Sequence, residues 1–249
     1  MSADFPQELV HALRAARRVT VLTGAGISAE SGVPTFRDPQ SGLWSRFRPE
    51  DLANATAFRR DPQLVWDWYE WRRRTISAAG PNAGHLALAR METRVPEFSL
   101  ITQNVDGLHA RAGSKSIIEL HGSIMRNRCL EEDIVGEPAA GDEERPPRCT
   151  RCGALLRPDV VWFGESLTEK TLNDAVAAAS NCQMFFSIGT SSVVNPAAQL
   201  PELALHAGAQ VVEINPEPTR LSGAAHLSLR GAAGAILSRL VMATWPDAS

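Results

Sequence analysis

The residues best suited to chemistry begin with a glycine turn at Gly24, Gly26 and Ala29. The turn follows the β-branched apolar run 19–23, which predicts a strand ending where the glycines start. In this G-x-G-x-x-A spacing, small residues let the backbone bend tightly and approach a pyrophosphate. Backbone amides can then donate hydrogen bonds to the negatively charged phosphates. Ordinary strand-to-helix connections share the pattern, so the spacing alone leaves both interpretations open.

The loop after this turn has an unusual composition. Gly32 and Pro34 break helical structure, so the chain does not run directly into a helix. The same loop carries the side chains of Thr35, Phe36 and Arg37. A hydroxyl, an aromatic ring and a guanidinium are therefore expected in the cleft beside the glycines, a combination that packing does not explain.

His121 is the candidate for a catalytic base. It follows the apolar run 117–120 and precedes Gly122, which leaves its ring room at the edge of a sheet. The ordinary pKa of histidine lets it accept a proton near neutrality. His109 is interpreted as a residue that caps or packs near the cleft. The remaining histidines are interpreted as structural: His11, His85, His206 and His226.

Three cysteines suggest a metal site. Cys149 and Cys152 form one knuckle of a zinc ribbon, which normally has two C-x-x-C knuckles. The first knuckle is incomplete, because Cys129 is not followed by a second cysteine. The three thiolates could hold zinc with Glu132, Asp133 or water as the fourth ligand, and a module without metal is the alternative. Disulfides are disfavoured, since cytosolic thiols are normally kept reduced.

Short apolar runs predict the elements that position these residues. Most are continuous and separated by helical stretches, which is typical of a parallel sheet covered on both faces. Ligands of such sheets gather beyond the carboxyl ends of the strands. Gly24, Gln103, His121, Gly189 and Asn215 each follow one of these runs, so one cleft could collect them all. The runs are 19–23, 98–102, 116–120, 184–188, 210–214 and 226–229.

The predicted fold class is α/β, with a Rossmann-like parallel sheet and a smaller helical and zinc-ribbon-like domain. Residues 1–35, 91–123 and 158–249 are predicted to form the Rossmann-like nucleotide-binding domain. Residues 36–90 read as helices, and residues 124–157 are polar, rich in proline and contain the three candidate ligands. We expect these two segments to form the small domain over the cleft.

Composition excludes several classes of function. The 249 residues are 44% hydrophobic and 21% charged, enough for a sizeable core in one or two domains. The net charge of −3 gives no basic excess for a nucleic-acid or membrane surface. Asp4, Pro6 and Glu8 interrupt what would be the apolar core of a secretory peptide, and no apolar run could span a bilayer. We therefore expect a cytoplasmic protein without nucleic-acid or membrane partners.

The segment 24–38 resembles the nicotinamide-nucleotide loop of the sirtuins, which are NAD-consuming protein deacylases. Many members of the family have glycine where this chain has Asp38. Despite this difference, the match is long and close. The resemblance recurs in order along nearly the whole chain, in the motifs Thr102-Gln103-Asn104-Val105-Asp106, Leu120-His121-Gly122, 158–165, Gly189-Thr190-Ser191 and Glu213-Ile214-Asn215.

The resemblance implies the reaction. In sirtuins the substrate amide oxygen attacks the anomeric carbon of NAD and expels nicotinamide. The histidine that matches His121 then deprotonates a ribose hydroxyl, which attacks the resulting alkylimidate, and O-acyl-ADP-ribose is formed. Asn104 matches a residue that positions the ribose or an attacking water.

The resemblance also implies the NAD contacts. The phosphates would lie on Gly24, Ala25, Gly26, Ser28 and Ala29, and the nicotinamide ribose against Thr35, Phe36 and Arg37. The ribose and carboxamide would be held by Gln103, Asn104 and Asp106. The adenosine half would contact Gly189, Thr190, Ser191, Asn215, Glu217 and the backbone of Ala233.

The acyl-lysine peptide is expected to bind as an added strand beside Val161 and Phe163, which would line the acyl tunnel. Core packing is the alternative for both residues. Tyr69 and Arg72 are three apart and share a face if the segment is helical. A phenol and a guanidinium suit a carboxylate at the end of the acyl chain. The pair resembles the sirtuin branch that removes succinyl and malonyl groups as well as acetyl.

Several alternatives remain open. The segment with Tyr69 and Arg72 could be a solvated surface rich in tryptophan and arginine, to which Arg73 and Arg74 contribute. A hydride-transferring dehydrogenase is the second function by fold analogy, but no acidic residue ends a second strand about twenty residues after the glycines. A plain deacetylase and an ADP-ribosyltransferase would use the same cleavage of NAD. A non-catalytic NAD-sensing or zinc-ribbon module is the third class.

Overall fold

The structure is a computed structural model that describes residues 5–34, 45–138 and 144–246. Its strands coincide with the predicted runs, and two further strands flank the cysteine segment. In chain order the strands are β1 Arg18–Thr23, β2 Glu97–Thr102, β3 Ile117–Glu119, β4 Gly122–Cys129, β5 Leu156–Val160, β6 Met184–Ile188, β7 Gln210–Ile214 and β8 Leu227–Leu229. The α/β prediction is confirmed.

The main sheet has the order β3-β2-β1-β6-β7-β8, and all of its neighbouring strands are parallel. Thr23 at the end of β1 pairs with Thr102 and with Ile188, so the carboxyl ends of three central strands are level. From the middle of the sheet outward, β1, β2 and β3 form one half, and β6, β7 and β8 form the other. The switch point between β1 and β6 is where such sheets bind ligands.

Helices cover both faces of this sheet. Leu13, Leu88 and Leu237 pack against one face from α1, α5 and α9, and Ala204 and Ala179 pack against the other from α8 and α7. Since both faces are covered, the strands are continuous apolar runs. The helices are α1 Gln7–Ala15, α2 Pro49–Leu52, α3 Ala55–Arg60, α4 Pro62–Ala78, α5 Ala83–Glu92, α6 Leu108–Arg111, α7 Glu169–Asn181, α8 Leu200–His206 and α9 Ala233–Thr244.

A second apolar cluster joins α2, α3 and α4 to the β4–β5 ribbon. Phe58 and Trp68 from the helices are fully buried beside Ile124 of β4 and Trp162 just after β5. The ribbon is antiparallel and irregular between Ser123 and Asn127. The smaller helical and ribbon-like part is therefore present as predicted. Among the described helices, none has the length and apolar character needed to cross a bilayer.

The domain boundaries stay a prediction. Helix α5 lies within the predicted small domain, yet Ala87, Leu88 and Met91 pack in the same cluster as Val21 of β1. Its closest helical neighbour is α9 of the large domain. This packing favours a boundary before Ala83 instead of at residue 90.

Candidate active site

The glycine turn meets the end of β6 at the switch point. The Gly26 amide donates to the Gly189 carbonyl at 2.8 Å, and the Gly24 amide donates to the Ile188 carbonyl at 3.0 Å. A Cβ on Gly24 would lie 2.8 Å from the Gly189 oxygen, and one on Gly26 would lie 2.7 Å from the Gly189 Cα. Gly189 itself has a φ of +59°. The two loops touch this closely because all three residues are glycines.

A polar network lies beneath the turn. The Asn104 side-chain amide donates to the Gly24 carbonyl and to the Ser28 hydroxyl, both at 3.1 Å. The Ser28 hydroxyl donates to the Asp106 carboxylate at 2.7 Å, and the second carboxylate oxygen accepts from the Leu108 amide at 2.9 Å. The loops after β1 and β2 are thus joined by side chains that the sequence predicted at one site.

His85 also belongs to this network, although no motif or spacing in the sequence places it there. Its ring is fully buried, with Nε2 3.4 Å from the Ser28 hydroxyl and Nδ1 3.3 Å from the Asn82 amide. The His109 ring lies 4.8 Å away. Burial lowers the pKa of both histidines, that of His109 to about 3. His85 was interpreted as a structural residue in or beside a helix, and it lies in α5 with partners for its ring. Its position beside the cleft comes from the tertiary packing of α5.

His121 has the geometry of a neutral base. Its Nδ1 lies 2.9 Å from the Gln103 carbonyl, and a carbonyl only accepts, so Nδ1 carries the ring proton. Nε2 is left as the acceptor of the ring. Burial lowers the pKa of His121, and the bond to Gln103 opposes that shift in part. The imidazole therefore stays unprotonated at neutral pH, ready to take a proton.

Further candidates lie along the same edge of the sheet. The Gln103 side-chain amide donates to the buried Thr190 hydroxyl at 3.0 Å, which ties the end of β2 to the end of β6. The Gly189 amide donates to the Ile214 carbonyl at 2.9 Å, which ties β6 to β7. Ser191 follows in the same half-buried loop.

The last candidates lie just after the end of β7 and at the start of α9. The Asn215 side-chain amide donates to the carbonyl of exposed Glu217 at 3.1 Å. Ala233 is buried at the first position of α9, where the Gly234 amide donates to the Glu30 carboxylate at 2.7 Å. Glu30 thus joins the glycine-turn segment to α9. Ala25 and Ala29 lie in the same segment, whereas three predicted residues lie outside the described residues: Thr35, Phe36 and Arg37.

Tyr69 and Arg72 lie in α4 as predicted. Tyr69 is 3% exposed, and burial raises its pKa to about 12. Burial also lowers the pKa of Arg72, whose guanidinium lies 5.1 Å from the ring centre of Trp68. Arg73 is not the solvated residue we expected: its guanidinium donates to the Ile124 carbonyl at 2.6 Å. These contacts disfavour the solvated-surface interpretation of the helix.

Val161 and Phe163 follow β5 and are not core residues. Val161 is half-buried, and Phe163 is 50% exposed. The Val161 amide donates to the His121 carbonyl at 3.0 Å, and the Phe163 amide donates to the Ala53 carbonyl at 2.9 Å. This segment therefore runs from the candidate base to the helical module.

The cysteine segment forms a compact donor cluster. Asp133, one of the candidate fourth ligands, instead pairs with Arg128 at 3.1 Å. The sulfurs of Cys129 and Cys152 lie 3.4 Å apart. The ligand atoms of four side chains lie within 4.8 Å of one another: Cys129, Glu132, Cys149 and Cys152.

Backbone amides support the sulfurs of this cluster. The Glu132 amide donates to the Cys129 sulfur at 3.5 Å. The amides of Arg151 and Cys152 hydrogen-bond to the Cys149 sulfur and lower the pKa of its thiol. Amides that point at sulfur favour the thiolate, which is the form that binds metal. Three thiolates and one carboxylate are a donor set that fits zinc.

We expect elemental analysis of protein purified without chelator to give about one zinc per chain. Cys149→Ser should lose the metal, and Glu132→Gln should weaken its retention against a chelator, because each removes one of four ligands. Asp133→Asn and Cys182→Ser are the matched controls, since Asp133 pairs with Arg128 and buried Cys182 donates to the Ala179 carbonyl. A stable preparation without zinc, or full retention in Cys149→Ser, would contradict this ligand set.

A parallel sheet whose switch point gathers glycine loops, amide side chains and a neutral histidine defines a nucleotide-binding α/β protein. The sequence matches the Sir2 family over residues 24–196. The chain belongs to the Sir2 family, as its resemblance to the sirtuins predicted.

The chain is similar over nearly its whole length to three members of this family. The NAD-dependent protein deacylase of Methylococcus capsulatus is 49% identical over 96% of this chain and 97% of its own length. The crystal structure of a Sir2 homolog–NAD complex superimposes with a TM-score of 0.91 at 43% identity, covering 99% of this chain and 96% of that chain. A Sir2–p53 peptide–NAD⁺ structure has a TM-score of 0.82 at 32% identity, covering 95% and 96%.

Proposed function

We propose that this chain removes acyl groups from lysine side chains of proteins, with NAD as co-substrate, and releases nicotinamide and O-acyl-ADP-ribose. The observation that carries the proposal is the bond from His121 Nδ1 to the Gln103 carbonyl at 2.9 Å, which leaves a neutral base at the switch point. Family membership and near full-length similarity to a deacylase support it.

The residues of the switch point have separate roles in this proposal. NAD supplies an anomeric carbon and nicotinamide as its leaving group. Gly24 and Gly26 let the turn that would bind the phosphates pack against Gly189, and Asn104 orients the nicotinamide ribose through the amide that also contacts Ser28. His121 accepts the proton of a ribose hydroxyl at Nε2.

A dehydrogenase is disfavoured by the topology. In a dinucleotide-binding dehydrogenase, an acidic residue at the end of the second strand, about twenty residues after the glycines, binds the adenosine ribose. In the described part of this chain, the strand that follows β1 in sequence starts at Glu97 and ends at Thr102. That strand therefore starts much further along the chain than a dehydrogenase requires, and its last residue, Thr102, carries a hydroxyl and no carboxylate.

The substrate is proposed to be an acyl-lysine peptide that adds a strand along residues 161–163. An added strand places alternate side chains in pockets, and half-buried Val161 and exposed Phe163 alternate with buried Trp162 along this segment. The Val161 amide also bonds to the His121 carbonyl, so the peptide would pass close to the base. A solved relative contains a p53 peptide, which agrees with a peptide substrate.

The acyl groups are proposed to include succinyl and malonyl. Tyr69 and Arg72 place a buried phenol and a half-buried guanidinium on one face of α4. A cation kept from water favours an anionic partner, and a carboxylate can also accept the phenol hydrogen. Acetyl groups would occupy the same tunnel without these two bonds.

Incubation with NAD and acetyl-lysine or succinyl-lysine peptides tests the proposed function. We expect nicotinamide release to require both NAD and the acyl peptide. Unmodified lysine peptide is the control. Nicotinamide release that is equal with and without acyl peptide would contradict the proposal, and so would its absence with every acyl group tested.

Asn104→Ala is expected to lower nicotinamide release and nicotinamide exchange into NAD by about 30-fold. The change removes two hydrogen bonds, to Gly24 and Ser28, each worth about 1 kcal/mol. Asn181→Ala is the control, since exposed Asn181 donates from its side-chain amide to the Ala177 carbonyl within α7, far from the proposed ribose site. Exchange at the wild-type rate in Asn104→Ala would contradict the assignment.

A further inference from the structure

Tyr69 makes a buried hydrogen bond with Trp162. The indole Nε1–H of Trp162 donates to the Tyr69 hydroxyl oxygen at 2.9 Å. The two side chains are 2% and 3% exposed. An indole N–H can only donate, so the phenol oxygen must be the acceptor in this bond.

This direction decides what the Tyr69 hydroxyl can still do. The phenol has one hydrogen, and the bond from Trp162 does not use it. Because burial raises the pKa of Tyr69 to about 12, the phenol keeps that hydrogen at physiological pH. Arg72 on the same helix face is a cation and offers only donors. The pair therefore presents donors and positive charge, a combination suited to an anion.

Other contacts fix the Trp162 ring. The Arg157 guanidinium stacks on it, with Cζ 4.1 Å from the ring centre, and Phe58 packs against it with ring centres 5.3 Å apart. Glu165 pairs with Arg157 at 3.0 Å and accepts the Trp162 backbone amide at 2.9 Å. The indole N–H is thus held at one place relative to Tyr69.

We infer that Trp162 is a positioning residue for acyl specificity: its indole N–H orients the Tyr69 hydroxyl as a donor to the terminal carboxylate of succinyl or malonyl groups. The inference rests on the proposed function and on the proposed role of Tyr69 and Arg72. Acetyl groups have no carboxylate, so their removal does not depend on this orientation.

The test compares the ratio of kcat/KM for succinyl-lysine and acetyl-lysine peptides of the same sequence. Trp162→Phe removes the donor and keeps a ring. Loss of one hydrogen bond should lower the ratio by about threefold to tenfold. Trp66→Phe is the matched control, because Trp66 is equally buried on α4 and its Nε1 has no hydrogen-bond partner among the described residues. The control should leave the ratio unchanged.

A double-mutant cycle separates orientation from packing. If Trp162 acts through the phenol, Trp162→Phe should not change the ratio further in a Tyr69→Phe background. An equal drop in both backgrounds, or equal losses on both peptides, would overturn the inference. Should Trp162→Phe fail to fold, Trp162→Leu repeats the cycle with an apolar side chain that has no hydrogen-bond donor.

Arg72→Met distinguishes failure of the inference from failure of the proposed acyl site. If Arg72→Met lowers the ratio and Trp162→Phe does not, only the inference is overturned. If the wild-type protein removes acetyl and not succinyl groups, or if Arg72→Met leaves the ratio unchanged, the carboxylate site and the inference fall together. Absence of any deacylation would contradict the proposed function itself.

Discussion

His121→Phe is expected to lower kcat/KM for deacylation by roughly 10²–10⁴-fold, the usual contribution of a general base. The fold and NAD affinity should persist, because the His121 ring is half-buried at the cleft and phenylalanine removes its bond to the Gln103 carbonyl without disturbing the apolar core. Calorimetric NAD binding and thermal melting measure this. His206→Phe is the matched control, since exposed His206 makes the same kind of bond to the Glu202 carbonyl on α8.

The pH dependence of deacylation is a second test of His121 as the base. Burial lowers the pKa of His121, so the base should lose activity only below the ordinary histidine value of about 6.5. The acid limb of the kcat/KM profile should therefore lie below that pH in wild-type protein. Substantial product formation by His121→Phe, or an acid limb above that value, would count against His121 as the base.

Arg72→Met should depress removal of succinyl and malonyl groups by about 10- to 100-fold and leave removal of acetyl nearly unchanged. A charged hydrogen bond is worth about 1.5–3 kcal/mol, and methionine keeps an apolar stem of similar length. Tyr69→Phe should act in the same direction but more mildly, because a neutral donor is lost. Comparing kcat/KM for matched peptides measures both effects.

Arg74→Met on the same helix is the control for Arg72→Met. Arg74 is exposed, so its loss should affect neither class of acyl group. Parallel losses on acetyl and succinyl peptides in Arg72→Met would point to general packing by α4. The chain would then be a plain deacetylase.

The fold was predictable from sequence because its signals are local. Each strand of the main sheet is a short apolar run, and polar or glycine residues follow it directly. Parallel strands bring such positions to one edge, so Gly24, Gln103, His121, Gly189 and Asn215 could be assigned to one cleft before any contact was known. In the structure Thr23 lies opposite Thr102 and Ile188, so the strands that precede Gly24, Gln103 and Gly189 end at the same level.

The rest of the site depends on contacts between distant segments. His85 reaches Ser28 through the packing of α5, and no spacing in the sequence predicts that approach. Glu132 and Asp133 are adjacent in sequence and chemically alike, and only the turn after Cys129 directs one to the sulfurs and the other to Arg128. The bond between Trp162 and Tyr69 likewise joins the segment after β5 to α4.

The products of one reaction test the central claim most directly. Wild-type protein, NAD and an acetyl-lysine peptide should yield deacylated peptide and O-acetyl-ADP-ribose in equal amounts by mass spectrometry. His121→Phe should yield neither above background. A peptide heavier by one ADP-ribose unit would indicate ADP-ribosyl transfer, and NADH would indicate hydride transfer. Either product in place of O-acetyl-ADP-ribose would contradict deacylation at this site.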